Sequence, residues 1–120
     1  MKILLDTNFL IDLVRYKVDI DFVNDIASGR LAVVEPVLEE LKKISGSQLK
    51  ERGFAEVALI LLKKKNVEVL KSKKTNADEA IFSIATKNVV ATNDIQLRKR
   101  LRILGVKTIY LRAKKHLAMG

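Results

Sequence analysis

The chain has 120 residues, of which 48 % are apolar, and it contains no cysteine. This composition is typical of a folded domain with its own core, and the lack of cysteine excludes disulfides, thiolate zinc sites and cysteine nucleophiles. The formal net charge is +9, and it is unevenly distributed: residues 1–60 carry 8 basic and 10 acidic side chains, whereas residues 61–120 carry 15 and 4. The basic half indicates a polyanionic partner such as nucleic acid, although a lysine-rich solvated surface would have the same composition.

Short apolar runs alternate along the chain with longer amphipathic segments. Runs that are apolar on both faces are typical of strands in a buried parallel sheet, so the alternation predicts an α/β fold. We expect strands at Lys2–Leu5, Leu31–Val34, Val67–Leu70, Val89–Ala91 and Lys107–Leu111. We expect helices at Phe9–Tyr16, Phe22–Ala27, Pro36–Ile44, Gln48–Lys65, Ala77–Lys87 and Ile95–Leu104.

Local signals support several helix ends. Pro36 suits the first turn of a helix, where no N–H donor is needed. Asn76 suits an N-cap, with Glu79 completing a capping box, and Gly105 suits a helix end. No apolar run approaches the length of a membrane span and no secretory segment is visible, so we expect a cytoplasmic protein with no membrane partner.

Acidic residues follow the predicted strands. Asp6 ends the first strand and Asp94 closely follows the fourth, while Glu40 and Asp78 lie in the helices after the second and third strands. Because ligands bind outside the carboxyl ends of parallel strands, we expect these four carboxylates to meet at one edge of the sheet.

Carboxylates that meet at one edge repel each other unless a cation offsets their charge. Hard oxygen ligands suit Mg²⁺ or Mn²⁺, and such a cation can activate water and neutralise charge on a phosphodiester. An acidic edge with a basic flank is therefore a coherent arrangement for cleaving nucleic acid. Structural roles stay open for three of the acids: Asp78 and Asp94 suit helix N-termini, and Glu40 suits a solvated helix surface.

Short polar residues stand beside the two strand-end aspartates. Thr7, Asn8, Thr92 and Asn93 could orient the acids by hydrogen bonds, or they could serve only as turn residues. Asp12, four residues after Asn8, could approach the same edge from the first helix, although a solvated position is favoured. The only histidine, His116, is expected on the surface of the tail, so a serine–histidine mechanism has no base, and no glycine-rich phosphate loop is present.

Five segments in order resemble the PIN-domain nucleases over almost the entire chain. The resemblance is closer to the archaeal branch related to the PIN nucleases of small-subunit ribosomal RNA processing than to the bacterial VapC toxins, which share the fold. The segments are LLDTN (Leu4–Asn8), PVLEEL (Pro36–Leu41), NADEAI (Asn76–Ile81), VVATNDIQLRKRLR (Val89–Arg102) and GVKTIYLR (Gly105–Arg112).

The resemblance implies a PIN-like, three-layer α/β/α sandwich with a five-stranded, mainly parallel sheet, formed as a single domain over residues 1–120. It also implies a Mg²⁺- or Mn²⁺-dependent endoribonuclease that acts on single-stranded RNA. Glu40 is chosen over Glu39 because it precedes Leu41, and Gln96 stands where some relatives carry a further acid, so a second metal is expected to be weakly held. The implied catalytic residues are Asp6, Glu40, Asp78 and Asp94, with Asp6, Asp78 and Asp94 as metal ligands and Thr7, Asn8, Thr92 and Asn93 in support.

The expected function is hydrolysis of RNA phosphodiester bonds by a metal-activated water, in ribosomal RNA processing or RNA turnover. Two alternatives stay open: a VapC-type toxin ribonuclease controlled by an antitoxin, and a catalytically silent RNA-binding module. Expected partners are single-stranded RNA, a second copy in a homodimer, and an antitoxin or ribosome-assembly factors. The residues expected to contact RNA are Arg98, Lys99, Arg100 and Arg102, with Lys63–Lys65, Lys71, Lys73 and Lys74 as further candidates.

Overall fold

Strands and helices alternate throughout the computed structural model, which describes all 120 residues. The strands are β1 (Lys2–Leu5), β2 (Arg30–Val34), β3 (Glu68–Leu70), β4 (Val89–Ala91), β5 (Thr108–Arg112) and β6 (His116–Met119). The helices are α1 (Thr7–Arg15), α2 (Val23–Ile26), α3 (Glu35–Ser45), α4 (Arg52–Lys64), α5 (Ala77–Ile84) and α6 (Ile95–Ile103), and a 3₁₀ turn (Ile20–Phe22) precedes α2.

One sheet contains all six strands in the order β3-β2-β1-β4-β5-β6. The first five are parallel, and β6 runs antiparallel to β5. The predicted α/β class with a mainly parallel sheet is confirmed, and all five predicted strands form. The predicted strand number is wrong by one, because no strand was predicted after Leu111 and the tail that contains His116 forms β6.

The turn between β5 and β6 explains why the hairpin was missed. Short hairpin turns usually need Gly, Asn or Asp at positions with positive φ, but here Ala113 and Lys114 occupy them, at φ 54° and 60°. The Lys115 N–H donates to the Arg112 carbonyl at 3.1 Å and closes the turn. His116 therefore belongs to a strand, although its side chain is exposed as expected.

Several predicted helix ends are confirmed and others shift by a few residues. The Asn76 side chain caps α5 by accepting from the Glu79 N–H at 3.1 Å, but the Glu79 carboxylate binds Arg100 rather than completing a capping box. Gly105 follows the end of α6 at φ 75°. Helix α4 begins at Arg52 instead of Gln48, because the Ser47 hydroxyl accepts from the Leu49 N–H at 3.1 Å and holds a non-helical turn.

The core lies on both faces of the sheet and forms one cluster of 29 buried apolar residues. All of β4 and the last three residues of β1 are buried, as expected for central strands covered by helices on both sides. The two central strands therefore hold the acids that follow them in a rigid position. Every helix is too short or too polar to span a lipid bilayer.

Candidate active site

Asp6 is a buried carboxylate at the carboxyl end of β1. Its side chain accepts hydrogen bonds from the Thr7 N–H at 2.8 Å and from the Thr92 hydroxyl at 2.7 Å, and only 3 % of the residue is exposed. The backbone N–H of Asp6 donates to the Ala91 carbonyl at 2.9 Å, so the ends of β1 and β4 are tied together. Burial raises the pKa of Asp6 to about 6; the two hydrogen bonds oppose this rise, and the charges of Asp78 and Glu40 add to it.

Glu40 reaches the same place from α3. The buried Thr7 hydroxyl donates a hydrogen bond to the Glu40 carboxylate, while Glu40 itself is exposed. Glu39 makes no hydrogen bond or ion pair of this kind. The contact brings the carboxylate of Glu40 beside the first residues of α1, where the sequence placed it.

Asp78 occupies the first turn of α5 and lies in the field of two other acids. Partial burial raises its pKa, the charges of Asp94 and Glu40 raise it further, and the charge of Arg100 lowers it. Since Asp6 also responds to Asp78 and Glu40, each of the four acids is electrostatically linked to at least one of the others.

Asp94 serves as the N-cap of α6 and shares a partner with Asp6. One of its carboxylate oxygens accepts from the N–H groups of Gln96 and Leu97 at 2.9 and 3.2 Å, so the capping role expected from the sequence is confirmed. Its own N–H donates to the Thr92 hydroxyl at 3.1 Å. Thr92, which is fully buried, thus links the two aspartates through a single oxygen.

Asn93 links the loop between β4 and α6 to α1 and β5 by hydrogen bonds. Its N–H donates to the Asn8 side-chain oxygen at 3.1 Å, its side-chain amide donates to Asp12 at 2.8 Å, and its side-chain oxygen accepts from the Leu111 N–H at 2.8 Å. Of the two positions considered for Asp12, the structure shows the less favoured one, because this carboxylate lies on the face of α1 that meets the β4–α6 loop. Its spacing four residues after Asn8 places the two side chains on the same helix face.

A cavity of about 270 Å³ lies between α1, α3 and α5. It brings together three of the four acids, and Asp94 is linked to it through its effect on Asp78 rather than by lining it. The lining residues are Asp6, Thr7, Asn8, Ile11, Glu40, Ile44 and Asp78.

The ligand chemistry of this cavity suits a hard divalent cation, because it offers carboxylate, hydroxyl and amide oxygens. Burial raises the pKa of Asp6, and the charges of Asp78 and Glu40 add to this rise, so a cation beside these acids would favour the ionised form of Asp6. As they are placed, however, no three acidic or histidine side chains converge closely enough to form a complete metal site. Metal binding by Asp6, Asp78 and Asp94 therefore stays a prediction.

The basic residues of α6 differ in whether their side chains already make contacts within the protein. The Arg98 guanidinium stacks 3.5 Å from the centre of the Tyr110 ring. Arg100 binds Glu79 at 2.9 Å and lies 4.2 Å from the centre of the Phe82 ring. Lys99 and Arg102 are exposed and unpaired. Two of the four residues expected to contact RNA are thus already engaged within the protein.

Comparisons with known proteins agree with this architecture. Residues 3–114 match the model of the PIN-like domain family. Ribonuclease VapC4 of Methanocaldococcus jannaschii is 34 % identical to the chain, across 96 % of this chain and 93 % of that protein. This relative belongs to the VapC side of the family, which the motifs were expected to resemble less.

Two solved structures show the same fold. A domain of a functionally unknown protein from M. jannaschii superposes with a TM-score of 0.66 at 19 % identity, covering 93 % of this chain and 91 % of that one. The structure of VapBC2 from Rickettsia felis bound to a promoter DNA fragment gives a TM-score of 0.56 at 20 % identity, covering 83 % and 92 %. With the family match over nearly all of its length and a relative one third identical, the chain belongs to the PIN-like domain family.

Proposed function

We propose that the protein is a ribonuclease that hydrolyses RNA phosphodiester bonds at the cavity formed by Asp6, Glu40 and Asp78, with Asp94 beside it. The observation that supports this most directly is that Asp6, Glu40 and Asp78 line one cavity, while the Thr92 hydroxyl joins Asp6 to the backbone of Asp94. The similarity to a protein named ribonuclease VapC4 supports the choice of RNA as substrate.

The acids and the threonines of the site would have different roles in hydrolysis. Asp6, Asp78 and Asp94 would hold Mg²⁺ or Mn²⁺, which when bound supplies Lewis-acid stabilisation of the scissile phosphate and activation of water. Thr92 and the Thr7 N–H fix the orientation of the Asp6 carboxylate. Thr7 fixes Glu40, which is the exposed acid best placed to accept a proton at the mouth of the cavity.

A cleavage assay on single-stranded and on structured RNA tests this proposal. We expect cleavage by the wild-type protein with Mg²⁺ or Mn²⁺, and a loss of at least about a hundredfold in Asp94→Asn. Asparagine is as good an N-cap as aspartate, so α6 should be retained in this variant. RNA binding without cleavage in any divalent metal would contradict the proposal and would indicate the catalytically silent module instead.

A second candidate function is that of a toxin under the control of an antitoxin. Both named VapC relatives favour it, whereas ribosomal RNA processing is supported only by the motif resemblance. We expect growth arrest when the wild-type chain is expressed and no arrest with Asp6→Asn. Normal growth with active wild-type enzyme would instead favour a role in ribosomal RNA processing or RNA turnover, and size-exclusion chromatography with light scattering would test the expected homodimer.

A further inference from the structure

Two groups of unpaired cations flank the acidic cavity at the carboxyl edge of the sheet. We name the first group the loop lysines (Lys71, Lys73 and Lys74), which follow β3, and the second the hairpin cations (Arg112, Lys114 and Lys115), which follow or end β5. All six side chains are exposed. None of them takes part in any of the four ion pairs of the structure.

The strand order places these groups on opposite sides of the site. β3 and β5 each lie two positions from β1, with β2 between on one side and β4 on the other. Adjacent strands are about 4.8 Å apart, so each outer strand lies about 10 Å to one side of β1, at whose carboxyl end Asp6 stands. Ile109 is level with Leu5 at the end of β1, and β5 continues to Arg112, so its end projects about 10 Å beyond that of β1. Both distances suit a short stretch of extended nucleic acid that lies across the edge.

The loop lysines are held by a structured segment rather than by a free loop. The Ser72 N–H donates to the Glu35 carboxylate at 3.1 Å, and the Lys74 N–H donates to the Ser72 hydroxyl at 3.0 Å. The three lysines line a cavity of about 240 Å³. The rest of its lining is Val34, Ser72, Ala80, Ser83 and Ile84.

The hairpin cations are fixed by the unusual turn between β5 and β6. Ala113 and Lys114 both adopt positive φ, a conformation that non-glycine residues rarely adopt. The Lys114 ammonium lies 5.5 Å from the centre of the Tyr16 ring, at the end of α1. The turn therefore presents its cations from a defined position on the edge.

The two free cations of α6 lie on a helix that leads away from the carboxyl edge. At about 1.5 Å of rise per residue, Lys99 lies about 8 Å and Arg102 about 12 Å along the helix from Asp94, and neither follows the end of a strand. Arg98 and Arg100 are engaged with Tyr110 and Glu79. We propose that single-stranded RNA crosses the carboxyl edge of the sheet over the acidic cavity, with its phosphates held by the loop lysines on one side and the hairpin cations on the other. This inference rests on the proposed ribonuclease function.

Charge-neutralising triple variants test this path. The two edge variants are K71Q/K73Q/K74Q and R112Q/K114Q/K115Q. The matched control is R30Q/K87Q/K107Q, which removes three exposed charges at the opposite edge of the sheet that take part in no ion pair. Binding of a short fluorescein-labelled single-stranded RNA is measured by anisotropy as a function of salt, in the Asp94→Asn background so that the RNA stays intact.

We expect each edge variant to lower the affinity at least about tenfold at about 0.1 M salt. The salt slope should fall in magnitude by about 2, since each lost phosphate contact removes about 0.7. The control triple should change the affinity by less than about twofold. The K71R/K73R/K74R variant should restore binding, because it keeps the charge, and melting curves check that every variant folds.

The path is overturned if the control triple weakens binding as much as the edge variants do, if the edge variants bind normally, or if the wild-type chain does not bind RNA. Cleavage by the wild-type chain is measured separately. Loss of binding confined to the edge variants, with no cleavage in any metal, would support the path and contradict the ribonuclease function. Cleavage by the wild-type chain, together with unchanged RNA binding in the edge variants, would support the ribonuclease function and contradict the path.

Discussion

At the scale of single residues, Asp6 is the group whose protonation is most affected by the fold. Its pKa is about 6 in the folded chain, against 3.8 for an ordinary aspartate. The folded state therefore binds a proton more tightly than the unfolded state does. Proton binding by Asp6 therefore stabilises the folded state fully below about pH 4. This stabilisation is lost as the pH rises through about 6, and the loss amounts to about 3 kcal/mol of the free energy of unfolding.

Replacing Asp6 with Asn should remove this cost. Without divalent cations, we expect Asp6→Asn to raise the free energy of unfolding at pH 7.5 by up to about 3 kcal/mol, and we expect the difference to disappear near pH 4. Urea denaturation at the two pH values measures it. The control is Asp25→Asn, which removes an exposed carboxylate of α2. A constant difference for Asp6→Asn would show that charge burial is not the cause.

Thr92 offers a second test, because its hydroxyl is the common partner of Asp6 and Asp94. Thr92→Val keeps the shape but leaves a buried carboxylate oxygen and an N–H without this partner, so we expect a loss of about 1–3 kcal/mol of stability and a marked loss of cleavage. The matched control is Thr108→Val: Thr108 is equally buried and donates to the Gly120 carbonyl at 2.7 Å, far from the acids. It should lose stability but keep its activity. Equal activity in the two variants would contradict an orienting role for Thr92.

At the scale of elements, predictions from the sequence succeeded where burial alone decides the structure. The runs of β1 and β4 are apolar at nearly every position, and such runs have few alternatives to a central strand. Strand β6 was missed because its sequence, His-Leu-Ala-Met, has no strong strand pattern and its turn has no Gly or Asn. Its pairing with β5 depends on the register Arg112↔His116, which no local rule indicates.

Replacing each of two glycines with alanine should change the free energy of unfolding in opposite directions. Gly29 precedes β2 at φ 144°, and a Cβ there would lie 3.1 Å from the Met1 carbonyl oxygen and 3.2 Å from Cγ1 of Ile3. We expect Gly29→Ala to lower stability by about 1–3 kcal/mol. Gly53 lies in α4, where a Cβ would meet no atom within 4 Å, so Gly53→Ala should raise stability by up to about 1 kcal/mol. Thermal or urea unfolding measures both, and a stabilised Gly29→Ala would contradict the account of this turn.

At the scale of the whole molecule, the two signs of charge are separated by topology. The acids gather at the carboxyl ends of the central strands, whereas unpaired cations stand at the ends of β3 and β5. At the other edge Lys2 is paired with Glu68, whereas Lys87 and Lys107 are unpaired but lie at the end of the sheet away from the acids. The net charge of +9 therefore indicates less about function than the position of the free cations does.

A divalent cation should stabilise the whole fold if it binds the native acids. We expect millimolar Mn²⁺ to raise the melting temperature, because a ligand bound only by the folded state adds RT ln(1 + [L]/Kd). The rise should be smaller in Asp78→Asn. Sodium chloride at matched ionic strength controls for general screening. An unchanged melting temperature in Mn²⁺ would count against a metal site in the cavity.

The sequence alone determined the α/β alternation, the five parallel strands and the location of the four acids at strand ends and early helix turns. These features follow from burial, capping and the geometry of parallel strands, which act locally or through one shared edge. Only the tertiary structure showed that Thr92 joins Asp6 to Asp94, that Asp12 holds Asn93, that Arg98 lies on Tyr110 and that β6 completes the sheet. Each of these contacts joins side chains or strands through packing geometry, and local patterns of charge and hydrophobicity do not specify which partners will meet.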